Sequence, residues 1–241
     1  AEMGYPTALT TKRWGFQDVW RNGEEISVTR AFGSYVMENI LFKISFPAEF
    51  HGQTAVEAAI QLHPLVKDRL EEISSIVITT QEPAIRIIDK TGSLTNPADR
   101  DHCIQYMTAV SLIKGGLHSD DYEDSTAKND PRIDILRSKT KVVENERFSR
   151  EYYEPDKRSI ANAVQVFFND GSCTQNVIVE YPIGHKNRRD EAIPLLFEKF
   201  GNNLRTQKES QTVLELTDMF RSETGFDDIN VNKFMELFYV G

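Results

Sequence analysis

From Lys43 to Ala59 the chain reads Lys-Ile-Ser-Phe-Pro-Ala-Glu-Phe-His-Gly-Gln-Thr-Ala-Val-Glu-Ala-Ala. This stretch holds a cation (Lys43), a carboxylate (Glu49), an imidazole (His51) and a carboxamide (Gln53). Imidazole changes charge near neutral pH, so it can give or take a proton, and a neighbouring carboxylate can orient it or act as a base itself. A second set follows at Arg100, Asp101, His102 and Tyr106. Asp99, His102 and Tyr106 are spaced three and four apart, the spacing of a shared helical face. Lys43, Glu49, His51, His102 and Tyr106 are the catalytic candidates, and Gln53, Arg100 and Asp101 are candidates for holding a substrate. Together they suit proton transfer on an anion, with spacing leaving open which group is acid and which is base. Solvated side chains on an ordinary strand–helix joint would read the same way.

The remaining reactive types receive no such role. His63 precedes Pro64 and reads as a helix terminator; His118 lies in a loop, and His185 reads as a hinge. Lys186, Arg188 and Arg189 read as a solvated helix start, which could also steer an anionic substrate. Cys103 and Cys173, the only cysteines, lack partners at ligand spacing, so no metal, cluster or other cofactor is expected.

The elements that must carry these groups can be read from pattern. A strand at Leu41–Ser45 should lead past Pro47 into a helix over about 52–63, whose open N-terminus suits a carboxylate. A helix over 65–72 and a β-branched strand over Ile73–Thr80 follow, then a short helix over 83–89. Asn96-Pro97 predicts a helix running to Lys114, where Gly115-Gly116 stops it. Ile104, Met107, Val110 and Ile113 form its buried stripe. A short helix and loop over 120–129, a helix over 131–139 and an extended run at 142–146 come next. Ala163–Phe168 and Val177–Tyr181 read as a hairpin around Asn169-Asp170-Gly171. Helices are expected over 188–205, 208–221 and 231–239. Residues 1–25 read as irregular, with Arg13 set to stack on Trp14; Ile26–Arg30 reads as a short strand or extended arm and Phe32–Tyr35 as a turn.

The 241 residues carry a net charge of −9, 27% charged and 39% hydrophobic side chains. This describes a soluble globular protein without the basic face of a nucleic-acid binder and without a membrane span.

Three blocks resemble the MmgE/PrpD family: Phe46-Pro-Ala-Glu-Phe-His51 with the following Gln53-Thr-Ala-Val-Glu-Ala-Ala59, Asn96 to Met107, and Val179-Glu-Tyr-Pro-Ile-Gly-His185 with Arg188-Arg189. The resemblance covers nearly the whole chain and implies the C-terminal half of such an enzyme. It implies an α+β fold: residues 1–40 end an all-helical domain, 41–184 form a mixed α+β lid, and 185–241 are a helical tail returning to the helical domain. The implied activity is a cluster-free hydro-lyase, dehydrating a methylated tricarboxylate in propionate breakdown. A decarboxylase of the same family is the alternative, made less apt by Glu49, where that branch carries His. A catalytically incomplete fragment acting as an interaction module is another. The resemblance further implies a missing N-terminal domain of the same protein as partner, a homodimer, and an intracellular setting, mitochondrial in a eukaryote and cytoplasmic in a bacterium. Phe197, Phe200, Met219, Phe220, Phe234, Phe238 and Tyr239 are too many large apolar groups for a free-standing tail and should leave an exposed apolar face.

Overall fold

The computed structural model describes residues 7–27, 36, 39–222 and 228–239. The chain divides into two compact units, Ala1–Asn39 and Ile40–Gly241. In the first, helix α1 (Phe16–Arg21) stands where an irregular segment was expected. Asp18 lies in its positive first turn, and Asn22 takes the left-handed conformation that closes it, its N–H reaching the Gln17 carbonyl. Arg13 sits 5.1 Å from the Trp14 ring centroid. Ile26 and Ser27 form no strand; the rest of that expected strand and the turn at Phe32–Tyr35 lie outside the described residues.

The second unit opens without the expected strand at Leu41–Ser45. This run lies against Gly184, with Phe42 N–H donating to the Gly184 carbonyl at 3.1 Å, and a single bond is no ladder. A 3-10 turn (Phe50–Gly52) winds directly into α2 (Gln53–Val66). The helix does not stop before Pro64. In the last turn a proline removes only one ladder bond, and α2 continues to Val66. His63 is therefore no terminator; its Nδ1 lies 2.9 Å from the Leu112 carbonyl oxygen. A turn and a 3-10 segment (Leu70–Glu72) replace the expected helix over 65–72.

Strand β1 (Ile73–Thr80) has the expected bounds and leads to α3 (Glu82–Ile88). The helix expected from Asn96 to Lys114 is two helices, α4 (Pro97–Asp101) and α5 (Ile104–Lys114). Asn96 caps α4 as expected, its side chain accepting from Asp99 N–H. His102 and Cys103 leave helical geometry between the two. Burial explains the break: every residue from Ile104 to Ile113 is buried, whereas α4 is Pro-Ala-Asp-Arg-Asp. One straight rod could not leave Pro97, Ala98 and Asp99 at the surface and also sink every residue from Ile104 to Ile113. Gly115, at φ 70°, ends α5 as expected.

Helices α6 (Asp124–Asn129) and α7 (Arg132–Ser138) precede β2 (Thr140–Glu144). Helix α8 (Glu146–Tyr153) was not anticipated. The hairpin forms from β3 (Asn162–Phe168) and β4 (Val177–Val179). The sheet order is β2-β1-β3-β4, with β1 parallel to β2 and antiparallel to β3, which pairs antiparallel with β4. Helix α2 packs on β3, β4 and α5, enclosing one core that includes Leu62, Ile76, Ile78, Met107 and Val164. Helices α9 (Arg189–Arg205), α10 (Ser210–Arg221) and α11 (Val231–Phe238) form the tail. This is an α+β fold. Among the described residues no helix is long and apolar enough to cross a membrane.

The joint into the tail is held tightly. Arg188 is not a solvated charge: its two Nη atoms donate to Glu57 on α2 at 2.9 and 3.0 Å, and Nη1 also reaches the Tyr181 carbonyl. His185 is buried, stacks on Tyr181 with centroids 4.5 Å apart, and accepts at Nδ1 from Asn187 N–H. Burial lowers its pKa, and the charges of Lys186 and Arg189 add to the effect. A buried neutral histidine binds its proton more weakly folded than unfolded. Its stabilisation is complete above the unfolded value of 6.5 and is lost as pH falls below it. Urea unfolding at about pH 7.5 and about pH 5.5 should show this loss, and His185→Gln should flatten it. Gly184 has φ 107°, and a β-carbon there would overlap the Phe42 carbonyl. Gly184→Ala should therefore destabilise the protein by more than about 1 kcal/mol in the same assay.

Candidate active site

Glu49 and His51 meet because the 3-10 turn begins between them. Glu49 caps that turn, one carboxylate oxygen accepting from His51 N–H at 2.8 Å. The other lies 2.8 Å from His51 Nδ1. A carboxylate accepts here, so Nδ1 carries the proton and Nε2 is left for exchange. Burial pushes the Glu49 carboxyl up, but the hydrogen bonds and charge of His51, with the charge of His102, bring it below the ordinary value. Glu49 is thus an anion at neutral pH. Both side chains keep a solvent-facing edge, 13% exposed for His51 and 15% for Glu49.

The turn is fixed from two sides. Gln53 donates through its amide to the Phe46 carbonyl at 2.8 Å and the Ala48 carbonyl at 2.7 Å. Asn162, buried on β3, donates to the His51 carbonyl at 2.7 Å and to Thr54 Oγ1 at 2.6 Å. Gly52 lies on Met107 and Ile88. The amide of Gln53, seen in sequence as a substrate contact, is committed to the loop. The N-terminus of α2 is likewise not open to a carboxylate. Its first residues are buried, and Phe50 O accepts the Gln53 N–H.

The second set of candidates separates. His102 is on the surface, its Nδ1 3.4 Å from an Asp101 carboxylate oxygen, and it stands close enough to Glu49 for its charge to act there. Tyr106 is buried and donates to the Asp121 carbonyl at 2.6 Å; burial pushes its phenol up to about 12. The expected shared face of Asp99, His102 and Tyr106 does not exist, because the helix breaks between them. Arg100, also buried, donates to the Tyr122 carbonyl and to Asp124 at 2.6 and 2.7 Å. Lys43 lines a different hollow, a groove of about 820 Å³ shared with Pro47, His118, Lys199 and Asn202. Lys199 Nζ donates to the Lys43 carbonyl at 2.5 Å. Among the described residues no three His, Cys, Asp or Glu side chains converge as a metal site requires.

The MmgE/PrpD C-terminal domain matches residues 46–220, which include the Glu49–His51 turn, the Asp101–His102 pair and all four strands of the sheet. The chain belongs to the MmgE/PrpD family. It is 51% identical over 246 residues to a 2-methylcitrate dehydratase of Cupriavidus necator, covering 99% of this chain and 50% of that protein. It is 56% identical over 207 residues to a mitochondrial 2-methylcitrate dehydratase of Yarrowia lipolytica, covering 85% of this chain and 40% of that one. A probable 2-methylcitrate dehydratase of Saccharomyces cerevisiae is 50% identical over 242 residues, 98% of this chain and 47% of that one. The chain thus spans about half the length of the curated relatives it matches.

Sequence reasoning missed Tyr152 and Asn162 at this turn. Tyr152 lies on the unanticipated α8, its hydroxyl 3.2 Å from His51 Nε2. The signal for α8 was present: Asn145 is a good N-cap, and its side chain accepts from Arg147 and Phe148 N–H. No sequence signal links Asn162 to a turn more than a hundred positions earlier. Asn162→Ala should lower stability by about 1–3 kcal/mol, as a buried hydrogen-bonding side chain is lost. It should also broaden the His51 imidazole resonances in NMR spectra, since the turn loses its anchor on the sheet.

Proposed function

We propose that this chain is the catalytic C-terminal half of a hydro-lyase that dehydrates 2-methylcitrate to 2-methyl-cis-aconitate. The Glu49–His51 pair carries this reading: an ionised carboxylate fixes one imidazole nitrogen and leaves the other for proton exchange. Dehydration of a 2-hydroxy acid needs a base for the carbon-bound proton and an acid for the departing hydroxide. A second carboxylate–imidazole pair, Asp101–His102, stands within electrostatic reach of the first. Two such pairs match the two proton transfers. Lys43, which lines a separate groove, takes no part in this assignment. Similarity to proteins named for this reaction supports the choice of substrate.

The same reading assigns the tail a cover. None of its seven large apolar residues singled out in the sequence is fully buried, and Tyr239 is 74% exposed. Ile193, Leu195, Leu214 and Met235 are exposed as well. We assign their cover to the N-terminal half that the relatives carry. The 241-residue chain alone should form higher aggregates in light scattering, and the protein at the relatives' length should associate no further than a dimer.

The reaction is tested on the protein at that length, following the new C=C bond by ultraviolet absorbance with 2-methylcitrate as substrate. His51→Ala and His102→Ala should each lower kcat by about 10²–10⁴-fold while the circular dichroism spectrum is unchanged. Full activity in either variant would remove that histidine from the mechanism, and release of carbon dioxide instead of water would replace the dehydratase by a decarboxylase.

A further inference from the structure

We propose that Tyr152 is the proton-delivering end of the His51 pair, passing a proton from His51 Nε2 to the hydroxyl group that leaves the substrate; this rests on the dehydratase reading above. Glu49 occupies Nδ1, so any proton His51 exchanges moves through Nε2, and the group facing Nε2 is the Tyr152 hydroxyl at 3.2 Å. The rings stack with centroids 5.7 Å apart and planes at 29°. Tyr152 is half-buried, so its hydroxyl can face both the imidazole and a ligand. Helix α8 is itself tied down: Ser149 Oγ accepts from Glu82 N–H and donates to Glu144, while Phe148 is buried. Tyr153 meets Tyr152 edge-on at 5.1 Å and restricts its rotation. Burial raises the Tyr152 phenol pKa, so it is a proton donor and not a phenolate at neutral pH.

The step balances as follows. His51 begins as imidazolium, with protons on both nitrogens. As the substrate C–O bond breaks, the Tyr152 O–H proton goes to the departing oxygen and forms water. The Nε2 proton moves to the Tyr152 oxygen, and His51 ends neutral. His102 enters this step neutral; the carbon-bound proton goes to it, and the electron pair of the broken C–H bond becomes the new double bond. Tyr152 ends as it began, and the proton His102 gained and the one His51 lost are exchanged with solvent.

The test is Tyr152→Phe in the protein at its relatives' length. It retains the ring and its stacking and deletes only the hydroxyl. With 2-methylcitrate, kcat should fall by about 10²-fold or more with KM within a few fold, and the alkaline limb of the kcat profile should flatten. An analogue with fluoride in place of the hydroxyl needs no proton to depart. The variant should turn it over within a few fold of the parent protein, a rescue that a merely structural loss would not give. An unchanged kcat on 2-methylcitrate, or equal impairment on both substrates, overturns the proposal. Nitrogen-15 NMR of the imidazole supplies a readout free of turnover. Tyr152→Phe should shift the His51 Nε2 resonance and leave Nδ1 bonded to Glu49; an unmoved Nε2 resonance also overturns it. A parent protein inactive on 2-methylcitrate would instead refute the dehydratase reading, and the NMR result would then decide the His51–Tyr152 contact by itself.

Discussion

The site depends on how the seven residues from Pro47 to Gln53 are held. They contain no regular hydrogen-bonded ladder, yet they must place an imidazole and a carboxylate against each other. Buried side-chain amides do this from both ends. Gln53 gathers the Phe46 and Ala48 carbonyls, and Asn162 takes the His51 carbonyl. Buried carbonyls left unpaired are expensive, so each bond selects one path for the chain. Glu49 completes the turn by accepting from the backbone and the ring of the same residue. Its single carboxylate therefore both shapes the loop and sets the tautomer of the reactive group.

Around this turn the α+β unit supplies rigidity. Helix α5, buried from Ile104 to Ile113, and the β1–β3 pair are the frame, and the turn rests on Met107 of α5 while it is tied to β3. The break at His102 is part of the same economy of burial. It separates a helix sunk from Ile104 to Ile113 from one that is only partly buried, and it leaves His102 on the surface beside Asp101. A single continuous helix would have tied His102 to the orientation of Tyr106, which the core holds on the Asp121 carbonyl.

The tail is bound to this frame by charge more than by apolar burial. Arg188 bridges to Glu57 with both terminal nitrogens, and both side chains are mostly buried. Such a pair adds little net stability over an apolar contact, but removing one partner strands the other charge. It therefore fixes where α9 starts. Farther out, Phe200, Phe220, Phe234 and Phe238 pack on one another at centroid separations of 4.7 to 6.4 Å, a cluster that remains half-open.

The fold class, the family, β1, the hairpin, the tail helices and the Glu49–His51 pair were all legible in the sequence. The family was legible in the three blocks that resemble it, and the elements and the pair in local signals: β-branched runs, Asp-Gly, caps and a carboxylate two positions from a histidine. What failed was whatever depended on a distant partner. The strand at Leu41 had no ladder to join. Pro64 did not end α2, because one lost bond in a last turn is outweighed by burial of the helix against the sheet and α5. Arg100, Tyr106 and Gln53 carry the right chemistry for a site, but the core claims their polar atoms for carbonyls that composition cannot reveal. Tyr152 and Asn162 joined the site for the same reason in reverse. Only the packing of α8 and β3 against the turn brings them there, because a side chain's partner is set by the path of the whole chain and its own spacing in the sequence carries no record of it.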